Sequence, residues 1–377
     1  MTEIFKKVHK GIDSLYLSFK GTLNERFKEE LEQKKLFAQS DDEKVQALAT
    51  ITIDEHTFEV KDRGKGRYAY VLVDSWYHIQ ISASKKKMLP TIYVQLSSDL
   101  LNCFGVSIAM NQLRGTMKEL LDGIEEETVS RADFFVDFIT ETDLSAINKK
   151  SWITRSKGFN NHWSGDRFTG FSIGLGGDIS ARLYNKTIEI EKSKKDYLMA
   201  FWSKNGWDKT LNVWRLEFQL KREVLKQLSI NKAFELGECS NDIWLYCTQK
   251  WLRLAYEEKT KNRTRWQTHP LWAEIEQVKF GDGNYTGIIR DISRSRVPIV
   301  STLFLNGMGY LTNYAALKGY DSINDTVVLE FCRDAKEFLK KHTENSSYYQ
   351  DENDYLVTKI NSKKKKYNKP LEQEKDI

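Results

Sequence analysis

Three short segments of the chain carry ionisable side chains at alternate positions. They are RADFFVDF (Arg131 to Phe138), ARLYNKTIE (Ala181 to Glu189) and WRLEFQL (Trp214 to Leu220). In a β-strand, side chains at i and i+2 share a face. The first segment therefore presents Arg131, Asp133 and Asp137 together, the second Arg182, Tyr184 and Lys186, and the third Arg215 and Glu217. If one sheet holds all three strands, one face carries carboxylates, guanidinium groups, an amine and a phenol. Grouped charges must be hydrated, paired or bound to a metal. The same set suits a metal-assisted tyrosine nucleophile acting on a phosphate.

Tyr184 is the candidate nucleophile. A free phenol has a pKa of about 10, so attack requires activation. Arg182, Lys186 or a metal ion nearby is expected to lower that value, because an opposite charge favours the ionised form. The ordinary alternative is a strand tyrosine with a satisfied hydroxyl. Asp133, Asp137 and Glu217 are candidate ligands for Mg²⁺ or Mn²⁺, hard cations that prefer oxygen. Ion pairing of these carboxylates with Arg131 or Arg215 fits the same spacing equally well. Glu189 opens the helix after Tyr184, where its charge suits the helix dipole; it is also placed to turn back toward the tyrosine or the metal. A second cluster, WLRLAYEEKTKNRTRW, interleaves basic and aromatic residues. Lys261, Arg263 and Arg265 are candidate phosphate contacts and Trp266 a candidate base-stacking residue, with a solvated loop as the alternative.

The elements that must position these residues are legible in outline. SLYLSFKG, ALATITI, HTFEVKD, RYAYVLVDS, WYHIQISAS and PTIYVQLS alternate apolar and polar positions and read as strands. NERFKEELEQKKLFAQSDDEKVQAL reads as one amphipathic helix, and NQLRGTMKELLDGIEE as a helix with acids gathered at its end, where they would face a basic neighbour. SKGFNNHWSGDRF reads as a loop. GLGGD at 174–178 reads as a hairpin turn between FSIGL and ISARLYNK. TIEIEKSKKDYLMAFW reads as helix, and TLNVWRLEFQLKREVLKQL as a strand running into a helix. Beyond residue 228 the pattern is helical. The fold class expected is α+β, with mainly antiparallel sheet flanked by helices and a helical C-terminal region. The expected divisions are a β-rich DNA-binding region at 1–120, a catalytic region at 121–280, a helical region at 281–355 and a basic disordered tail at 356–377. The tail's lysines at 363–366 would add weak, salt-sensitive affinity for nucleic acid.

The 377 residues allow a large core, and 10 Trp, 17 Tyr and 19 Phe with only 4 Pro indicate a folded chain. A formal net charge of +5 permits a polyanionic partner without demanding one. The four cysteines form no C-x-x-C pair, so neither a zinc site nor a disulfide framework is indicated. No H-x-H or H-x-x-x-H pair occurs, which leaves a histidine-clustered metal site unsupported, and there is no Walker motif. No apolar run matches a signal peptide or membrane span, so a reducing cytoplasm is the expected location.

In order and spacing, R-x-D-x-x-x-D, a Y-N-K-x-x-E box after a Gly-rich hairpin, and W-R-x-E-x-x-L resemble the replication-initiation-factor (Rep-trans) family. That family contains rolling-circle plasmid initiators, related phage replication proteins and conjugative relaxases. The opening GIDSLYLSFKG and the late WLRLAYEEKTKNRTRWQTHPLW are also similar to it, and the resemblance covers most of residues 10–275. It implies nicking of one strand of origin DNA, with a tyrosine joined to the 5′ phosphate and a free 3′-OH. Tyr184 matches the nucleophile, Lys186 and Glu189 the other fixed positions of its box, Asp133 the acidic position of the first strand, and Arg215 and Glu217 those of the last. The implied cofactor is a divalent metal held by carboxylates. The implied partners are double- and single-stranded origin DNA and a host helicase; a dimer is compatible with the family. Two rival readings are a DNA-binding regulator without catalysis and a phosphodiesterase in which water attacks.

Overall fold

The computed structural model describes residues 5–83, 89–156, 158–260, 262–281, 300–344 and 350–366. The chain divides into two compact units, 1–290 and 291–377.

In chain order the first unit runs β1 (Lys6–Leu23), α1 (Glu25–Ala38), α2 (Glu43–Gln46), β2 (Thr50–Ile53), β3 (His56–Val60), β4 (Tyr70–Val73), β5 (Tyr77–Ile81), β6 (Ile92–Leu96), α3 (Ser98–Leu120) and β7 (Leu121–Ile139). It continues through β8 (Trp152–Thr154), β9 (Phe159–Ser164), β10 (Arg167–Ile173), β11 (Ile179–Asn185), α4 (Lys186–Ser193), α5 (Tyr197–Lys204) and β12 (Trp214–Lys221). Then follow α6 (Arg222–Gln227), α7 (Ala233–Glu238), α8 (Ser240–Leu245), β13 (Leu252–Leu254) and α9 (Pro270–Glu276). The second unit holds α10 (Val300–Lys318), α11 (Asp325–Glu344) and α12 (Glu352–Lys366).

Eleven strands form one sheet in the order β2-β3-β4-β5-β6-β1-β7-β12-β11-β10-β9, and β13 pairs with β8 separately. Every pairing is antiparallel. With its flanking helices this is the α+β class expected. Alternation decides the faces. Leu15, Leu17, Phe134, Val136, Leu183, Leu216, Phe218 and Leu220 point to a continuous core, joined there by α1 through Phe27 and Leu31, and by α3 through Leu113 and Met117. Burying such a face is the main stabilising term, at about 25 cal/mol per Å² of apolar surface. The intervening residues of β7, β12 and β11 face the other way and carry the charges.

Several elements depart from the sequence pattern. The expected N-terminal helix breaks into α1 and α2, with Asp42 capping the second through the Lys44 amide at 2.8 Å. The helix read at NQLRGTMKELLDGIEE starts earlier, kinks at Gly105 and ends at Leu120; LDGIEE is already strand. One of its acids does meet a basic neighbour: Glu126 pairs with Lys20 at 2.5 Å. The segment read as a loop at SKGFNNHWSGDRF contains β9 and the start of β10. Its polar composition masked it, because β9 is an exposed edge strand. The helix read from Thr187 onward is two, α4 and α5, divided after Lys194 in the left-handed conformation. Residues 356–366, expected as disordered tail, lie in α12, and 367–377 fall outside the described residues. The expected boundary at 120/121 coincides with the direct passage from α3 into β7, inside the first unit.

Candidate active site on the polar sheet face

The strand order places β7, β12 and β11 side by side, so the three charge-bearing segments share one face. In register, Asp137 lies opposite Arg215, and Arg215 opposite Tyr184; Glu217 lies opposite Arg182. Tyr184 occupies the next-to-last position of β11. Asn185 then caps α4 by accepting from the Ile188 amide at 3.1 Å, so Lys186 begins a helix instead of continuing the strand face. On the far side, β10 approaches β11 so closely at Gly170 that a Cβ there would sit 2.1 Å from the Leu183 carbonyl oxygen and 2.7 Å from the Tyr184 Cα. With φ of 143°, only glycine suits that position.

The Tyr184 hydroxyl donates to Glu217 Oε2 at 3.1 Å. Arg182 lies beside the other Glu217 oxygen at 3.7 Å and donates to Gln219 at 3.4 Å. Lys186 pairs with Glu189 one helical turn on, and its ammonium sits 5.5 Å from the centre of the Tyr184 ring. Arg131 grips Asp133 through two bonds, one from Nε at 2.8 Å. Of the site cations, Arg182 and Arg131 keep side-chain exposures of 43% and 26%, against 2% for Lys186 and none for Arg215.

Arg215 and Asp137 form a buried tie. Arg215 Nε and Nη2 donate to the two Asp137 oxygens at 2.6 and 2.8 Å, and the Trp202 indole donates to Oδ2 at 2.9 Å. The guanidinium lies 3.7 Å from the centre of the Phe135 ring. Asp137, expected among metal ligands, thus has both oxygens engaged by protein donors in a fully buried pair. Arg215, matched to the family's last strand, is fully buried and committed to carboxylates.

One acid of the site escaped the sequence reading. Arg215 Nη1 donates to Asp13 Oδ1 at 2.5 Å. Asp13 falls where the β1–β7 register slips between Ile12 and Ser14. A bulge of this kind re-aims one side chain. The signal in the sequence was a lone carboxylate inside the strand-like GIDSLYLSF. Phe135 and Gly170 were likewise missed.

Electrostatics distinguish the acids. Burial, then the like charges of Asp13 and Asp133, hold the Glu217 carboxyl up at about 7, against the pull of Arg215 and Arg182. Burial also raises Asp133 despite its bonds to Arg131. For Asp13, burial opposes ionisation, but Arg215 and then Lys195 and Lys186 bring it below the ordinary value. The expectation for Tyr184 is reversed: burial, then the Glu217 carboxylate, push its phenol well above 10, outweighing Arg215. Lys186 is lowered by burial and by Arg215, against its pair with Glu189. The site therefore holds a protonated phenol hydrogen-bonded to a carboxyl that titrates near neutrality.

Among the described residues, no three His, Cys, Asp or Glu side chains are grouped to hold a metal ion. The donor chemistry fits one once Arg131 releases Asp133, both of whose oxygens it holds. Asp13 and Asp133 both raise Glu217, and Asp13 raises Asp133, a crowding that a divalent cation relieves. Mg²⁺ commonly takes one or two carboxylates and completes its shell with water and phosphate.

The basic cluster near Trp266 is not the expected stacking surface. Trp266 is buried, its indole donating to the Thr260 carbonyl at 2.9 Å. Arg263 donates to the carbonyls of Lys150 and Trp152. Arg253 of β13 binds the Trp266 carbonyl and Thr268 hydroxyl at 2.8 and 2.9 Å, so arginines here order a loop. Arg265 is exposed, and Lys261 lies outside the described residues.

No family model and no curated protein matches the chain. Among solved structures, it is similar to a rolling-circle replication initiator protein from Geobacillus stearothermophilus, with 14% identity and a TM-score of 0.44, covering 74% of this chain and 100% of that one. No helix among the described residues is long and apolar enough to cross a membrane.

Proposed function

We propose that the chain is a DNA nickase and strand transferase that initiates rolling-circle replication, with Tyr184 as nucleophile. The observation that carries this reading is the 3.1 Å hydrogen bond from the Tyr184 hydroxyl to Glu217, a carboxyl held at about 7. A general base is most effective with a pKa near the working pH. Glu217 takes the phenolic proton as the Tyr184 oxygen bonds to the scissile phosphorus. The bond from phosphorus to the 3′ oxygen breaks, and that oxygen leaves as a 3′-OH after taking up a proton. A 5′-phosphotyrosine link remains and conserves the bond energy, so the reverse attack by a 3′-OH rejoins strands.

Arg182, the most open cation of the site, is placed to offset charge developing on the phosphoryl oxygens. Lys186, over the ring, favours the phenolate as it forms. Arg215 acts through the carboxylates it holds: tied to Asp137 and Asp13, it fixes β12 against β7 and β1 and so positions Glu217. Asp133 and Glu217, with Asp13 beside them, would hold Mg²⁺ or Mn²⁺. When bound, such an ion polarises the phosphate and neutralises the clustered carboxylates. Origin DNA is the partner this chemistry requires, and a separate helicase would unwind it.

The buried pairing of Asp137 with Arg215 and of Asp133 with Arg131 favours a second reading, a DNA-binding regulator whose charged face is structural. The two are separated by incubation with Mn²⁺ and labelled single-stranded oligonucleotides tiled over the DNA flanking the gene. A denaturation-resistant protein–DNA adduct, lost in Tyr184→Phe, is expected. Metal-independent binding with no adduct would support the regulator instead.

A further inference from the structure

The polar face continues beyond the candidate active site. Arg131 of β7 lies opposite Tyr16 of β1, and its guanidinium sits over that ring at 4.9 Å. The Tyr16 ring lies 5.9 Å from that of Tyr93 on β6, and Tyr93 stacks on Tyr68 at 6.1 Å. All three tyrosines are half-buried. Their strand neighbours Leu15, Leu17, Ile92 and Val94 are fully buried in the core, so Tyr16 and Tyr93 project from the opposite face, the one that carries Arg131. Ser18 lies opposite Tyr93, Gln95 opposite Tyr16, Gln80 opposite Tyr93 and His78 opposite Gln95. This stretch of sheet thus bears polar and aromatic side chains. At its outer end are cations: Lys65 and Arg67 are exposed beside Tyr68, and Lys65 and Lys61 lie close enough to His78 to disfavour its protonation.

We infer that Tyr16, Tyr93 and Tyr68, with Arg131, form a track for single-stranded DNA that leads to Tyr184. The track's destination rests on the nicking reading above. Aromatic rings flanked by cations along a groove or face are the chemistry of sequence-tolerant single-strand binding: bases stack on the rings while cations meet the phosphates. A duplex fits less well, because its bases are already stacked on one another. β6 lies four strand spacings from β11, about 19 Å. Arg131 stands six residues along β7 from Asp137, which shares a row with Arg215 and Tyr184, about 20 Å more along the strands. The path is diagonal and takes several nucleotides on one side of the scissile phosphate. Continuity with the site is direct. Arg131 pairs with Asp133, and Asp133 in turn acts electrostatically on both Tyr16 and Glu217.

The test uses the full chain carrying Tyr184→Phe, in EDTA, so that binding is read without chemistry. The probe is fluorescein-labelled oligothymidine, followed by anisotropy. Tyr16→Ala and Tyr93→Ala should each weaken binding about tenfold, and Tyr16→Phe and Tyr93→Phe should restore it, because the ring does the stacking. Melting temperatures are recorded alongside, since cross-strand tyrosines also brace a sheet. If the alanine variants melt earlier yet bind oligothymidine as tightly as the parent, the tyrosines are braces and the track is refuted. If binding depends on the rings but the chain with Tyr184 intact never forms an adduct, the track stands and the nicking reading falls. If adducts form while binding ignores the rings, the reverse holds.

Discussion

Tyr184 hydrogen-bonds to Glu217, its diagonal neighbour across β11 and β12, although the residue directly opposite it is Arg215. The directly opposed cation is already committed to Asp137 and Asp13, and the phenol turns to the carboxyl. A base and a nucleophile are thereby joined on adjacent strands, two residues out of register, with a buried arginine holding the frame beneath them.

Glu217 as base has a kinetic consequence. Adduct formation should rise with pH as the carboxyl loses its proton, at about 7 in the metal-free site and at lower pH with Mn²⁺ bound. Glu217→Gln should flatten that profile and slow the reaction by ~10²–10⁴. Single-turnover rates across a pH series measure both.

The same shift affects stability with a definite sign. The folded carboxyl sits at about 7, above its unfolded value, so the unfolded chain releases the proton first. Stability attached to Glu217 is therefore greatest at low pH and is lost as pH rises toward 7. Relative to the parent, Glu217→Gln should gain melting temperature as the buffer moves from about pH 5 to about pH 8. An unchanged difference across that range would place the titration elsewhere.

Arg215→Met should leave Asp137 buried without its partner and cost ~3–5 kcal/mol. Arg215→Lys should recover only part, since an ammonium cannot bridge both Asp137 oxygens and Asp13 in the guanidinium's geometry. Urea unfolding midpoints provide the comparison.

Metal binding can be read without activity. Mn²⁺ should raise the melting temperature of the parent in a concentration-dependent way, and Glu217→Gln and Asp133→Asn should each weaken that response. Equal responses in all three proteins would remove these carboxylates from the ligand set.

Around Trp266 the outcomes should divide. Trp266→Ala removes a buried ring and should destabilise by ~3–5 kcal/mol. Arg265→Ala, at an exposed position, should leave stability unchanged and, if Arg265 meets a phosphate, lower the salt slope of DNA binding by about one.

The alternation of apolar and charged residues in β7, β11 and β12 made the face legible, because period-two patterning is local. The hairpin at GLGGD was legible for the same reason, with Gly174 and Gly176 at φ of 73° and 81°. The edge strand β9 was hidden by its polar residues, and α3 was misplaced because its last turn runs directly into β7 without a breaker. The Trp266 cluster misled because composition does not reveal that Arg253 and Arg263 spend their donors on backbone carbonyls.

Sequence alone determined which side chains alternate on each strand and that a helix follows the strand of Tyr184. Only the tertiary structure decided which strands are neighbours. Sheet order brings residues 13, 137 and 215 together. It leaves Arg215 as a buried tie and Arg182 as the open cation, and a bulge in β1 turns Asp13 into the site. Such pairings join residues far apart in the chain, and their energies depend on burial and neighbouring charge. No local pattern encodes either.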